Sequence, residues 1–211
     1  MKELLIVGIE TSGKLCSVAW SRDEALLLEY NIERGNIHAE LLAELVKKGF
    51  SELQLKPSDT DIIAVATGPG SFTGLRIGLS YAKGLCYGLQ KPLVGVSNFE
   101  ILAQAAPVAY EQLVTLIDAR RGNWYLAVFS GDNSQIVNKV VVGGNELHQY
   151  ISDDTVVVAN TTVPEIKTRF ILTKYSAGVL CKVGLHHYEM QGMDSIENLE
   201  PLYMQPFAGV I

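Results

Sequence analysis

The chain has 211 residues, of which 48% are hydrophobic and 19% are charged, and its formal net charge is −6. This composition predicts a well-buried globular protein of one large or two small domains and excludes a disordered chain. The acidic balance disfavours a protein that grips nucleic acid by itself, since phosphate binding usually needs a basic surface. No apolar run approaches the ~20 residues that cross a bilayer, so we expect no membrane association.

The three cysteines, Cys16, Cys86 and Cys181, are widely spaced and form no CxxC pair. This usage is typical of reduced core thiols in a cytosolic protein. The N-terminal segment MKELLIVGIE lacks the small-residue cleavage site of a signal peptide. We therefore expect a cytoplasmic location. The four histidines show neither HxxxH nor HExxH spacing, so no metal site is predicted.

The first half of the chain begins with strands and then alternates helices and strands. Three apolar segments separated only by turn residues predict an antiparallel meander. Apolar residues at helical spacing and near-continuous apolar runs then predict helices and buried strands in turn. The predicted order is strand 4–10, strand 15–20, strand 25–30, helix 36–50, strand 61–68, a helix that ends near residue 89, strand 92–97 and helix 98–106.

The second half repeats this order of elements, which predicts two related α/β lobes. We place the N-terminal lobe at residues 1–106 and the C-terminal lobe at 107–192, with a boundary around Pro107. The tail, residues 193–211, contains two prolines and is expected to pack back on the N-terminal lobe as an extended segment. The predicted elements of this half are strands 113–119, 123–130 and 135–143, a short helix 145–152, strand 155–160, and helical stretches between residues 164 and 192.

A glycine-rich loop, TGPGSFTG at residues 67–74, leads into a long helical segment. The loop lacks the lysine of a Walker A motif, since a leucine and an arginine follow Gly74. It also fails the GxGxxG spacing of a dinucleotide fingerprint. Two alternatives remain. One is a weak anion site at the start of a helix, and the other is a tight turn in which Ser71 or Thr73 caps the helix.

The helix after this loop carries small residues along one side, with Gly74, Gly78 and Ala82 at steps of four. A glycine inside a helix costs about 1 kcal/mol relative to alanine, so several glycines need a compensation such as close approach by another element. That element is either the protein's own sheet or another chain. We interpret this side and the apolar stripe of helix 36–50 as a partner interface. Its predicted residues are His38, Leu41, Leu42, Leu45, Gly74, Leu75, Gly78, Leu79, Ala82 and Cys86.

Six segments of the chain, in order, resemble the TsaB (YeaZ) family. They are IETSGKLCSVAW, HAELL, GPGSFTGLRIGLSYAKGL, GVSNFEILA, LIDARRGNWYLAVF and EPLYMQPF. The resemblance covers nearly the whole chain, and the combined signature is far more specific than a single glycine motif. Residues 133–193 match only loosely, and this region is short for the family.

The resemblance implies the two-lobed fold of actin, Hsp70 and sugar kinases, which is a duplicated RNase H-like fold. It implies a non-catalytic subunit of the machinery that makes threonylcarbamoyladenosine (t6A) beside the anticodon of tRNAs that read ANN codons. The paralogue TsaD would perform the transfer, with the ATPase TsaE joining the pair. The chain would meet tRNA only through this complex, and alone it is expected to self-associate.

In the catalytic relative two metal-binding histidines, spaced HxxxH, lie in a stretch like VNHxEGH. Here the corresponding stretch reads VSNFEIL, so Asn98 and Leu102 stand at the two histidine positions while Glu100 is kept. Leucine cannot ligate a metal, and an asparagine oxygen is a poor substitute for imidazole. The resemblance therefore implies that the metal centre and the transfer chemistry are absent.

The nucleotide-binding acid of this fold is also altered, because the family usually has DTS where this chain has ETS. The residues Glu10, Thr11, Ser12, Gly68, Gly70 and Ser71 form at most a weak nucleotide or anion site. We expect no cofactor other than ATP or ADP bound weakly at a shared interface. The alternative functions are an ATP-dependent kinase or ATPase of the same fold and, least favoured, a metallopeptidase.

One polar turn outside these motifs is open to two interpretations. Asp118, Arg120 and Arg121 lie at a predicted hairpin in IDARRGNWY. The arginines could contact phosphate of tRNA or a partner. The segment is equally consistent with an ordinary turn that has charged flanks.

Overall fold

The computed structural model describes residues 3–33, 38–131, 135–164 and 166–204, and of residues 135–140 only the backbone. The chain divides into two compact units. The N-terminal unit comprises Met1–Ile101 and Tyr175–Pro201, and the C-terminal unit comprises Leu102–Lys174 and Leu202–Ile211. The first two residues of the predicted helix 36–50 and the last residues of the tail, 205–211, lie outside the described residues.

The N-terminal unit is built on a five-stranded mixed sheet. Its strands follow the predicted meander and the two later apolar runs. They are β1 (Leu5–Glu10), β2 (Leu15–Arg22), β3 (Ala25–Glu33), β4 (Ile62–Gly68) and β5 (Leu93–Ser97). The order across the sheet is β3-β2-β1-β4-β5. β1, β2 and β3 pair antiparallel, whereas β4 pairs parallel with β1 and with β5.

Four α-helices accompany the strands, together with a short 3-10 turn at Pro57–Asp59. The helices are α1 (His38–Glu52), α2 (Phe72–Leu89), α3 (Asn98–Gln104) and α4 (Ala177–Gln191). Among the described residues, no helix has both the length and the apolar composition needed to cross a bilayer.

Helices α1 and α2 cover one face of the sheet. Alternate side chains of β1 and β2, such as Val7 and Val18, pack with both helices in one buried cluster. Trp20 sits at its centre in an edge-to-face contact with Phe50, with ring centroids 5.6 Å apart. Gly49 makes room for this ring, because a Cβ there would lie 2.1 Å from the Trp20 side chain. Burial of these apolar side chains is the main stabilising term of the unit.

Helix α4 covers the opposite face, where Gly8 of β1 and Ala64 of β4 allow close approach. A Cβ on Gly8 would lie 2.6 Å from the Ala177 carbonyl oxygen, so the helix backbone lies almost directly on β1. The Glu29 carboxylate of β3 accepts hydrogen bonds from Ser176 Oγ at 2.7 Å and Gly178 N at 2.9 Å. A carboxylate at this end of a helix is favourable because the free N–H groups give it positive character.

This position of α4 corrects the predicted lobe boundary. The sequence predicts 107–192 as the C-terminal lobe, yet Tyr175–Pro201 belongs to the N-terminal unit. The physical reason is that the second apolar face of the first sheet is buried only when α4 packs on it, and α4 follows the second sheet in the chain. Element order alone does not show which sheet a returning helix covers.

The C-terminal unit repeats the topology of the first sheet. Its strands are β6 (Gln112–Arg120), β7 (Asn123–Ser130), β8 (Gln135–Gly143), β9 (Val156–Ala159) and β10 (Phe170–Leu172). Read from its other edge, their order is β8-β7-β6-β9-β10. It matches the order β3-β2-β1-β4-β5 of the first sheet strand for strand. The predicted duplicated α/β fold is therefore confirmed. β10 replaces part of the predicted helical stretch, and a 3-10 helix, Gly144–Gln149, replaces the short α-helix.

The tail after α4 lies along the open edge of the first sheet as far as Pro201, whereas from Leu202 it belongs to the C-terminal unit and not, as predicted, to the N-terminal lobe. Asp194 forms a β-bridge with Leu93, and its carboxylate accepts a hydrogen bond from Gly95 N at 2.7 Å. The Leu199 side chain lies so close to Gly95 that a Cβ there would be 2.9 Å away. These contacts cover β5, which would otherwise present unpaired backbone groups.

Two glycines of α2 provide a matched test of this packing. A Cβ on Gly74 would lie 2.0 Å from the Thr11 carbonyl oxygen, whereas Gly84 has nothing within 4 Å. We expect Gly74→Ala to lower the free energy of unfolding by about 1–3 kcal/mol through overpacking. Gly84→Ala should raise it by up to about 1 kcal/mol through helix propensity. Denaturant unfolding of both variants measures the difference, and equal effects of the two would contradict the packing described here.

Candidate functional site

The predicted partner interface lies mostly inside the N-terminal unit. Most of its side chains are 6% exposed or less and pack on the protein's own sheet. These are Leu42, Leu45, Leu75, Leu79, Ala82 and Cys86. Gly74 and Gly78 both lie against Thr11. The prediction that this side of α2 meets another chain was therefore wrong, because the close approach that its glycines allow is made by β1 and the residue that follows it.

The two remaining interface residues, His38 and Leu41, are half-buried. The His38 imidazole Nε2 lies 3.1 Å from the Leu15 carbonyl oxygen, so this ring has a partner within the chain. Leu41 packs against the edge of the core cluster. Both residues thus make contacts within the N-terminal unit.

The opposite side of α2 is the exposed one. We define the outer face of α2 as Arg76, Ser80, Gly84, Tyr87 and Gly88, all of which are exposed. The Tyr87 side chain is 83% exposed, which is unusual for an aromatic residue. A Cβ on either glycine would meet nothing within 4 Å. A small-residue stripe thus lies on this face as well, and the sequence signal for it was the GxxxG spacing of Gly84 and Gly88.

The residues predicted to form a weak anion site come together as a packed turn. Glu10, Thr11 and Ser12 are at most 3% exposed. The Thr11 hydroxyl donates to the Gly74 carbonyl oxygen at 2.7 Å, and Ser71 N donates to the Ser12 carbonyl oxygen at 2.7 Å. Ser71 Oγ caps α2 by accepting from Gly74 N at 3.2 Å, which is the capped-turn alternative. Gly68 is also buried, whereas Gly70 and Ser71 are exposed.

Glu10 is the acidic residue of this cluster, and its environment shifts its pKa. Its Oε1 accepts hydrogen bonds from the backbone N and the hydroxyl of Ser12, the first at 2.7 Å. Its Oε2 is buried without a hydrogen-bond partner among the described residues. Burial raises the pKa of Glu10 from its ordinary 4.5 to about 7, although the Ser12 hydrogen bonds oppose this shift. A carboxyl group in this state is poorly suited to hold the magnesium ion of a nucleotide.

Asn98 ties the glycine loop to this cluster. Its buried side-chain amide donates to Ser12 Oγ at 2.5 Å and to the Pro69 carbonyl oxygen at 2.9 Å. Leu102, at the position of the second metal-binding histidine, is fully buried. Among the described residues no three His, Cys, Asp or Glu side chains are grouped so that they could hold a metal ion.

Glu100, the residue kept from the metal motif, is bound to other groups of the chain. Its Oε2 accepts from Ser97 N at 3.1 Å, and Ser97 Oγ accepts from Glu100 N at 3.4 Å, which is a capping box at the start of α3. Its Oε1 lies 2.9 Å from His187 Nε2. This contact raises the pKa of His187. Sequence spacing does not indicate this pair, because 87 residues separate its members.

The cysteine thiols do not form a reactive site. All three are buried. Burial raises the pKa of Cys16 to about 11 and those of Cys86 and Cys181 to about 12. Since the thiolate is the nucleophilic form, these residues are inert core thiols.

The polar turn of the C-terminal unit is well exposed. Asp118, Arg120 and Arg121 all lie at the surface, where β6 turns into β7. The Asp118 carboxylate accepts a hydrogen bond from Arg120 N at 2.7 Å, so it organises the turn's backbone.

Comparison with known proteins identifies the family. The family model described as "TsaD: tRNA N6-adenosine threonylcarbamoyltransferase" matches residues 34–167. The chain belongs to this family. Within it, curated relatives named tRNA threonylcarbamoyladenosine biosynthesis protein TsaB are similar to the chain. The TsaB of Bacillus subtilis is 32% identical over 143 residues, which are 67% of this chain and 62% of that protein.

The TsaB of Escherichia coli is 32% identical over 133 residues, or 62% of this chain and 57% of that protein. The chain therefore spans about three fifths of the length of these relatives. The solved structure of YeaZ from Pseudomonas aeruginosa is 25% identical, with a TM-score of 0.81 over 96% of this chain and all of that one. These matches confirm the TsaB (YeaZ) resemblance and the predicted fold class.

The raised pKa of Glu10 predicts a pH-dependent stability. Because the folded-state pKa of about 7 exceeds the ordinary 4.5, the folded protein binds this proton more tightly than the unfolded chain. The resulting stabilisation is complete below pH 4.5 and is lost as the pH rises through 7. Between pH 4.5 and 8, wild type should lose about 3 kcal/mol of unfolding free energy relative to Glu10→Gln.

Denaturant unfolding of wild type and Glu10→Gln at several pH values measures this loss. His187 titrates in both proteins, so its contribution cancels in the comparison. Glu189→Gln, which alters an exposed carboxyl on α4, should follow wild type. Parallel stability curves for wild type and Glu10→Gln would show that Glu10 is not held in its neutral form.

Proposed function

We propose that the chain is a non-catalytic subunit of the machinery that makes t6A in tRNA, and that it pairs with a TsaD-type transferase and a TsaE-type ATPase. The family match and the TsaB names of the curated relatives support the role in t6A formation. The proposal extends that role to this chain, which spans only part of those relatives, and assigns the transfer chemistry to the partner.

The observation that carries the non-catalytic assignment is the use made of the residues at the metal positions. Asn98 bonds to Ser12 and Pro69 within the chain, and Glu100 bonds to Ser97 and His187. Because these side chains hold a loop and cap a helix within the chain, we assign them a structural role and not a metal-binding one. The kinase alternative is disfavoured by Glu10, whose carboxyl is fully buried and holds its proton near neutral pH.

The outer face of α2 is the surface that we propose for the TsaD-type partner. The small residues Ser80, Gly84 and Gly88 recur every four residues, and they permit close approach by another helix. Tyr87 provides an exposed aromatic anchor of the kind that is enriched at interface centres. Self-association of the isolated chain would use the same face.

Reconstitution tests the proposed function. The chain, a TsaD-type transferase, a TsaE-type ATPase and the synthase of the threonylcarbamoyl donor are combined with unmodified tRNA, and the modified nucleoside is quantified. We expect product only when the chain is present with its partners, and none from the chain with donor and tRNA alone. Full-rate modification without the chain, or turnover of ATP by the chain alone, would contradict the proposal.

Substitutions on α2 test the proposed partner face. Gly84→Leu fills the small-residue stripe and Tyr87→Asp removes the anchor, so each should weaken pairing by about tenfold or more. Glu189→Leu, which adds a leucine to the exposed side of α4, is the matched control and should pair normally. Light scattering after size separation measures association with the TsaD-type partner and with itself.

Circular dichroism confirms that each of these variants folds. Substitutions at Gly78 or Leu79 are not informative about pairing, because both residues pack inside the unit. If Gly84→Leu and Tyr87→Asp bind the partner as tightly as wild type, the partner docks elsewhere.

A further inference from the structure

The turn between β6 and β7 places two arginines in a backbone conformation that suits neither. Arg120 has φ of +70° and Arg121 has φ of +56°, and Gly122 follows with φ of +77°. The strand pairing shifts register between Asp118 and Arg120, so Ala119 is the extra residue of a bulge and Arg120 directly follows it. Arg121 and Gly122 are the two residues that connect the strands, since Arg120 pairs with Asn123.

Other residues fit this backbone better. A two-residue hairpin with positive φ at both positions favours Asn-Gly or Asp-Gly. A left-handed residue directly before such a turn likewise favours glycine or asparagine. The left-handed conformation costs an arginine free energy because Cβ crowds the following carbonyl oxygen. The other described non-glycine residues with positive φ, Asp23, Gln54 and Gln90, are single. Strain at two adjacent residues points to a role for their side chains.

The arginine side chains do not stabilise the turn by pairing within the chain. No ion pair or side-chain hydrogen bond joins either guanidinium to another residue in the described part of the chain, and Asp118 bonds to the Arg120 backbone instead. Both arginines and Gly122 are exposed, and a Cβ on Gly122 would meet nothing within 4 Å. The turn thus presents two adjacent guanidinium groups to an open surface.

We propose that Arg120 and Arg121 form a phosphate-binding turn that contacts the RNA backbone of tRNA held by the assembled complex. This inference rests on the proposed function, which makes tRNA the macromolecular substrate. Guanidinium groups bind phosphate oxygens bidentately. Because the chain carries a net charge of −6, its general field repels RNA, and a contact has to be made by a local pair of cations.

The test replaces both arginines by a residue that suits the backbone. Arg120→Asn/Arg121→Asn removes the two charges, and asparagine tolerates positive φ. In the reconstituted complex we expect tRNA binding to weaken about tenfold and the slope of log K against log salt to fall by about 1 to 2. The thermal midpoint of the isolated chain should rise by about 2–4 °C as the strain is relieved.

Two controls separate charge from conformation. Arg120→Lys/Arg121→Lys keeps the charges and should retain most of the salt slope. Arg22→Gln removes an exposed charge from the N-terminal unit and should leave both tRNA binding and the salt slope unchanged. All variants are assayed with wild-type partners over a range of salt concentrations.

Three results would overturn the inference. The first is unchanged tRNA affinity and salt slope in the asparagine variant. The second is a lowered thermal midpoint, which would mean that the arginines support the fold. The third is loss of association with the protein partners while tRNA binding persists, which would assign the turn to a protein carboxylate. Failure of the proposed function is distinct, because modification would then not require the wild-type chain at all.

Discussion

The contact between Thr11 and the first turns of α2 is the constraint on which the N-terminal unit depends. The Thr11 hydroxyl donates to the Gly74 carbonyl oxygen at 2.7 Å, and a Cβ on Gly78 would lie 2.4 Å from Thr11 Oγ1. Only glycine leaves space at this distance, so α2 starts directly on the residue that follows β1. The helix position in turn fixes the loop before it, since Ser71 N bonds to the Ser12 carbonyl oxygen.

This packing turns a potential ligand site into part of the core. With α2 so close, Glu10 and Ser12 are covered, and Asn98 closes the loop over them. A carboxylate in such surroundings loses hydration that two hydrogen bonds only partly replace, which is why Glu10 retains its proton at a pH where a surface glutamate does not. The same contacts that define the fold therefore account for the altered chemistry of the acid.

Much of the fold could be predicted from the sequence because strand patterns are local. β7 and β8 were predicted to the residue, and the duplicated order of elements identified the second sheet. The element that packs on each side of a helix could not be predicted in the same way. Periodicity shows that Gly74 and Leu75 lie on a contact side, but a sheet and a partner chain demand the same small and apolar residues.

Contacts between residues far apart in the chain could not be predicted from the sequence either. The partner of Glu100 is 87 residues away on a helix that returns from the C-terminal unit, and nothing in the spacing of His187 indicates this. The left-handed backbone at Arg120 and Arg121 could be predicted only as a turn, because arginine is not a residue that marks positive φ. Sequence reasoning thus located these residues but not the geometry that gives them a role.

The two sides of α2 differ in whether packing contacts offset the helix-propensity cost of their glycines. The cost of Gly74 and Gly78 is offset inside the chain by the close approach of Thr11. Gly84 lies in the same helix with open space around it, so its cost of about 1 kcal/mol has no offset within the described residues. A second helix that packs on the outer face would supply the missing contacts through the same close approach. The inner side of α2 therefore shows, in one molecule, the kind of packing that the proposed partner would make on the outer side.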